Sequence, residues 1–209
     1  LHDALPISEE TLGNDLRAIN HQFNIVFDLM LDMIGGIQDA SLHSDISDYL
    51  ADTSDEDISS TKQGKISESE NSGSVDGDRN VGGVVGSMAI EYDLDPEDDT
   101  LQISYHATYE TKAVLQKCIN RGNVTAKKDC IGGLAGRMDL GTVIGCESYG
   151  PVKSTSGGHV GGIAGLSHST IRGSYAKCTL SGSEYVGGIA GSADIVHNCL
   201  SISTITEGT

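Results

Sequence analysis

From residue 66 to residue 205 a short pattern of apolar and small residues recurs along the chain. Each copy opens on an aliphatic side chain, in turn Ile66, Leu115, Val143, Ile171 and Val196. Three positions later stand Ser69, Cys118, Cys146, Ser174 and Cys199, and two further on Asn71, Asn120, Ser148, Ala176 and Ser201. Then come Gly73, Gly122, Gly150, Cys178 and Ser203, and finally Val75, Val124, Val152, Leu180 and Ile205. The last four columns have period two, which puts them on one face of a strand. Small or branched, they suit a tightly stacked interior. Between them lie Glu70, Ile119, Glu147, Tyr175 and Leu200, then Ser72, Arg121, Tyr149, Lys177 and Ile202, a varied set that suits an outer face.

A glycine string follows four of these copies: Val81-Gly82-Gly83-Val84-Val85-Gly86, Ile131-Gly132-Gly133-Leu134-Ala135-Gly136, Val160-Gly161-Gly162-Ile163-Ala164-Gly165 and Val186-Gly187-Gly188-Ile189-Ala190-Gly191. The first residues are 131 − 81 = 50, 160 − 131 = 29 and 186 − 160 = 26 positions apart. Spacings in the twenties are those of stacked solenoid rungs, whereas a dinucleotide fingerprint is a single string between one strand and one helix. In Val-Gly-Gly-Ile the apolar residues are three apart, so a plain strand would turn them to opposite faces; a bend at the paired glycines lets both point inward. The prediction is a mainly β chain, a right-handed parallel β-solenoid over 66–209 with an N-terminal α-helical segment.

The repeated strings resemble the GLUG-motif repeats of large bacterial surface and secreted proteins, among them some immunoglobulin-A metallopeptidases and adhesins. The resemblance covers residues 66 to 205. It implies a parallel β-solenoid on a bacterial cell surface or outside the cell, and it implies no catalytic residue in the repeats. Two departures stand out: a long insertion after the first glycine string, and a fifth rung with no glycine string, which reads as truncated.

Outside the repeats the pattern changes. Leu12, Leu16, Ile19, Phe23, Val26, Met30 and Ile34 recur at steps of three or four, predicting an amphipathic helix within 8–40. Ser8 or Thr11 can cap it, and Gly35-Gly36 would end it. Such a helix either covers the open end of the solenoid or ends an upstream coiled-coil stalk. Residues 41–65 are rich in acids and serine and read as a solvated acidic linker. Residues 1–7, LHDALPI, are what the sequencing-library adapter CTACACGACGCTCTTCCGATC encodes, and they are set aside from fold reasoning. Between Gly86 and Leu115 lie 28 residues, against 6, 5 and 4 in the later connections. Met88, Ile90, Tyr92 and Leu94 alternate, as do Leu101, Ile103, Tyr105, Ala107 and Tyr109, around an acidic turn, so a β-hairpin insertion is expected at 87–114.

Charge narrows the function classes. With a formal net charge of −17 the chain would be repelled by nucleic-acid phosphates, and no apolar run reaches the length of a membrane span. Asp93, Asp95, Glu97, Asp98 and Asp99 offer oxygen ligands for calcium but lack EF-hand spacing, and the plainer reading is a wet turn. The 5 cysteines form no Cys-x-x-Cys pair. Cys118, Cys146 and Cys199 share an inward column and are expected as buried free thiols, while Cys130, in a loop column with Asn80, His159 and Tyr185, is expected to be exposed. His159 and His168 have no nucleophile at a defensible spacing. Arg121, Lys127, Lys128, Arg137 and Asp139 are the one charged group that could converge on an outer face as an enzyme would need; solvated solenoid charge is the plainer reading. Tyr92, Tyr105 and Tyr109 on the hairpin are the candidate partner-binding residues, because tyrosine joins large contact area to a polar tip. The expected function is a non-catalytic stalk or adhesive surface toward host or cell-surface protein or glycan, without cofactor. The alternative is a noncatalytic region of a secreted peptidase or glycan-active enzyme.

Overall fold

A computed structural model of the 209-residue chain describes residues 14–27, 29–30, 50–90 and 109–207. The chain divides into two compact units, Leu1–Asp48 and Tyr49–Thr209. In the first, residues 14–27 and 29–30 are helical and exposed. The second is a parallel β-solenoid.

Each rung of the solenoid turns through the same succession of short strands. Strands Lys65–Ser67, Val114–Gln116 and Thr142–Ile144 stack in register, followed by the second half of Ala164–Arg172 and then of Ala190–His197. The next side stacks Glu70–Asn71, Ile119–Asn120, Glu147–Ser148, Tyr175–Ala176 and Leu200–Ser201. A third stacks Val75–Gly77, Val124–Ala126, Val152–Ser154, Thr179–Ser181 and Thr204–Glu207. The glycine strings supply Val81–Gly82, Ile131–Gly132, Val160–Gly161 and Val186–Gly187. Then Val85–Met88 and Ala135–Met138 return to the first sheet, where Ala164–Arg172 serves two rungs at once through a bulge between Ser167 and Thr170.

The register sets like on like, because a parallel in-register stack brings each side chain over its equivalent. Val75, Val124, Val152, Leu180 and Ile205 form one column, and Ile66, Leu115, Val143, Ile171 and Val196 another. Within the middle rungs Leu115, Val124, Ile131, Leu134, Val143, Val152, Val160, Ile163, Ile171 and Leu180 are fully buried. Burying each such side chain is worth about 1.5–3 kcal/mol, so the core consists of the repeated columns themselves.

Two corners per rung use backbone in the left-handed region. Glu68, Lys117, Gly145, Gly173 and Asn198 occupy it before the Ser/Cys column, and Asn80, Cys130, His159 and Tyr185 occupy it before the glycine strings. The strings need glycine for a different reason, which is close approach. A Cβ on Gly132 would collide with the Ala135 carbonyl, and one on Gly161 with that of Ala164; Gly82 and Gly187 repeat this against Val85 and Ala190. A Cβ on the second glycine would strike the small column across the interior, Gly83 against Asn120, Gly133 against Ser148, Gly162 against Ala176 and Gly188 against Ser201. The third glycine lies against the left-handed corner of the preceding rung, Gly165 on Cys130 and Gly191 on His159. The bend does turn both flanking residues inward: Ile131 and Leu134 are 0% exposed, as are Val160 and Ile163.

Two expectations are corrected, those for the acidic linker and for Cys130. Residues 50–65, assigned by composition to the acidic linker, contain a strand, Leu50–Asp52, that pairs in parallel with Tyr109–Thr111. The turn after it straps the solenoid: Asp52 Oδ2 accepts the Gly141 N–H at 2.7 Å, the Ser54 hydroxyl oxygen accepts the Ala113 N–H at 2.9 Å, and Asp55 accepts from the Thr170 hydroxyl at 3.3 Å and pairs with Arg172 at 3.3 Å. These acids are spent on backbone and side-chain donors of three successive rungs rather than on water. Residues 41–49 lie outside the described residues. The body of the hairpin expected within 87–114, residues 91–108, lies outside the described residues. Met88 is a buried core residue of a rung strand, and Tyr109 pairs with Leu50. Cys130 is buried at 7% exposure, not exposed, because its left-handed corner is enclosed by the neighbouring rungs: its N–H donates to the Gly158 carbonyl at 3.2 Å and Gly165 packs against its backbone.

Candidate functional site

The outward residues of one side, carried by Glu70–Asn71, Ile119–Asn120, Glu147–Ser148, Tyr175–Ala176 and Leu200–Ser201, touch one another from rung to rung. The strands there are two residues long and lie between a left-handed corner and a second bend, so few outward positions exist per rung and each stacks on its neighbour. Arg121 Nε donates to Glu70 Oε1 at 2.8 Å. Its guanidinium lies over the Tyr149 ring, 4.9 Å from the centroid, a geometry in which the ring quadrupole attracts the cation. Tyr149 meets Tyr175 with centroids 5.8 Å apart and planes tilted by 57°, the tilted packing that aromatic pairs prefer. The Tyr149 hydroxyl donates to Glu147 Oε2 at 2.5 Å, and that hydrogen bond, helped by a small desolvation, holds the phenol above its ordinary pKa. Lys177 and Leu200 extend the strip on the exposed side.

The strip offers a cation, two aromatic rings, two carboxylates and apolar edges on a rigid stack. That set can recognise a partner by hydrogen bonds and apolar contact. Both tyrosines were legible as outward positions in the repeat columns, but nothing in the sequence set them in contact with each other and with Arg121.

Other sequence candidates separate. Tyr92 and Tyr105, and the acidic set Asp93, Asp95, Glu97, Asp98 and Asp99, lie outside the described residues, and Tyr109 is placed only by its backbone, in the strand beside Leu50. The charged group Arg121, Lys127, Lys128, Arg137 and Asp139 is not brought to one point. Arg121 pairs with Glu70, Lys128 with Asp78 at 2.7 Å and Arg137 with Asp139 at 2.7 Å, on different sides of the rungs. The Lys128 hydrogen bond lowers the Asp78 carboxyl pKa. His159 stacks on Tyr185 with centroids 4.8 Å apart, and His168 lies 3.4 Å from Asp194. Among the described residues no three His, Cys, Asp or Glu side chains are grouped to hold a metal ion, and no helix is long and apolar enough to cross a membrane. No protein-family model, curated protein or solved structure matches the chain.

Proposed function

We propose that this chain is a non-catalytic repeat segment of a large bacterial surface or secreted protein, a rigid spacer that also presents an adhesive face to protein or glycan. The observation that carries this reading is the division of labour within each rung. The recurring residues are consumed by stacking, whereas the outward residues that vary from rung to rung assemble the Arg121–Tyr149–Tyr175 strip. Aromatic and arginine side chains are those enriched at the centres of recognition surfaces. The likeness of the glycine strings to the GLUG-motif repeats supports the extracellular setting.

The test is binding of the purified chain to immobilised polysaccharides, mucin-type glycans and matrix proteins, alongside the Arg121→Ala, Tyr149→Ala and Tyr175→Ala variants. Retention by one class of surface, lost in the variants while thermal unfolding is unchanged, supports the adhesive reading. Retention that survives all three substitutions moves adhesion away from this strip, and no retention by any surface leaves the spacer role alone.

A further inference from the structure

On the side that carries Arg121, Tyr149 and Tyr175, each rung has two outward residues, one in the two-residue strand and one at the bend after it. Stacked rungs lie about 4.8 Å apart, so these residues form a file that is long in the stacking direction and narrow across it. A stable interface between two folded proteins takes about 20–30 residues a side. The file offers far fewer, and its shape suits one extended chain laid along the stack.

Charge narrows the chemistry of that chain. The molecule carries −17 overall and would repel a polyanion. Within the file the charges balance, Glu70 and Glu147 against Arg121 and Lys177. Both carboxylates are already engaged, Glu70 by Arg121 Nε at 2.8 Å and Glu147 by the Tyr149 hydroxyl at 2.5 Å, and Lys177 has no ion-pair partner among the described residues. A polycation would therefore meet two occupied acids with two cations beside them. An uncharged chain bearing hydroxyls meets neither obstacle. Its hydroxyls can accept from the guanidinium and the ammonium, and donate to the carboxylates, whose oxygens have lone pairs to spare. A pyranose also has an apolar C–H face, which an aromatic ring covers well. Arg121 is held between Glu70 and the Tyr149 ring, 4.9 Å from its centroid, so little side-chain freedom is lost when a ligand arrives.

We propose that the ligand of this file is an uncharged linear polysaccharide lying along the stack across Arg121, Tyr149 and Tyr175, an inference that rests on the adhesive reading of the strip. Frontal affinity chromatography of the full chain tests it, on columns carrying mannan, a β-glucan, an α-glucan, hyaluronate or gelatin, at low and at high salt. Tyr149→Leu and Tyr175→Leu variants run beside the parent, since leucine keeps an apolar contact between rungs and removes the ring. The expected result is retention by a neutral polysaccharide that salt leaves unchanged, because no charge pair is there to be screened. Each variant should bind about tenfold more weakly or worse with the parent's thermal unfolding. Retention by hyaluronate or gelatin alone overturns this inference and leaves the adhesive reading standing, whereas retention by none of the columns overturns both. Retention by a neutral polysaccharide that survives both substitutions, or that falls steeply with salt, also overturns the inference.

Discussion

The backbone N–H of Cys118 donates to the sulfur of Cys146 at 3.3 Å, across one rung of the stack. One rung on, the Cys146 N–H donates in the same way to the Ser174 hydroxyl oxygen at 3.2 Å. Each side chain of this column also donates back to the carbonyl two residues before it: Ser69 to Ser67, Cys118 to Gln116, Cys146 to Ile144, Ser174 to Arg172 and Cys199 to His197. The left-handed residue just before the column keeps its own N–H on a carbonyl of the next rung, Lys117 on Ile144 and Gly145 on Arg172, and it is the N–H of the column residue that turns to the side chain of the next rung.

Cys146→Ser keeps both roles, as Ser69 and Ser174 do at equivalent places, and denaturant unfolding should show a loss of no more than about 1 kcal/mol. Cys146→Val fills the space but leaves the buried Cys118 N–H without an acceptor, at a cost of about 1–3 kcal/mol. Equal stability of the two variants would show that the thiol is only a space-filler.

Glycine substitutions should separate close approach from backbone conformation. Gly133→Ala drives a methyl against the Ser148 side chain and the Gly162 carbonyl, an overpacking expected to cost about 1–3 kcal/mol or more. Gly145→Ala meets open space, its nearest atom being Lys117 Cγ at 3.9 Å, but must adopt φ +60°, at about 1–2 kcal/mol. Gly145→Asn should recover most of that loss, since Asn198 holds the same corner. Melting temperatures of the three variants check the order; a Gly133→Ala protein as stable as the parent would refute the close-approach account.

The strap gives a local prediction. Asp52→Ala removes the acceptor of the Gly141 N–H and of the Ser54 N–H, the latter at 3.0 Å. Limited proteolysis and amide exchange should then find residues 50–58 loosened while the inner columns keep their protection. Unchanged exchange at 50–58 would mean that the Leu50–Asp52 pairing with Tyr109–Thr111 suffices alone.

Thiol chemistry should follow burial. The Cys146 thiol pKa is raised by its hydrogen bond with Cys118 and by burial, and burial raises those of Cys130 and Cys178. A raised thiol pKa leaves less of the reactive thiolate at any pH below it, so at pH 8 these three should resist iodoacetamide in the folded protein. Cys199, the cysteine that is not buried, should label first. Mass spectrometry after partial alkylation reads the order, and Cys130 labelling as fast as Cys199 would contradict its enclosure at the corner.

The sequence by itself determined the solenoid, its register and its inward columns, because in a parallel stack the side-chain period of two and the equivalence of rungs are both written linearly. Val75, Val124, Val152, Leu180 and Ile205 could be aligned before any coordinate, and they stack as aligned. The tertiary structure alone decided three things. The strap was hidden because its contacts join residues 59, 89 and 115 positions apart, and acids in a polar run look solvated until their donors are known. The enclosure of Cys130 was hidden because the left-handed corners carry Asn80, His159 and Tyr185 rather than glycine, so composition gave no sign of the bend. The Arg121–Tyr149–Tyr175 strip was legible as outward positions and no further. Contact between outward side chains depends on the rotamers that stacking selects, and no column of sequence records those.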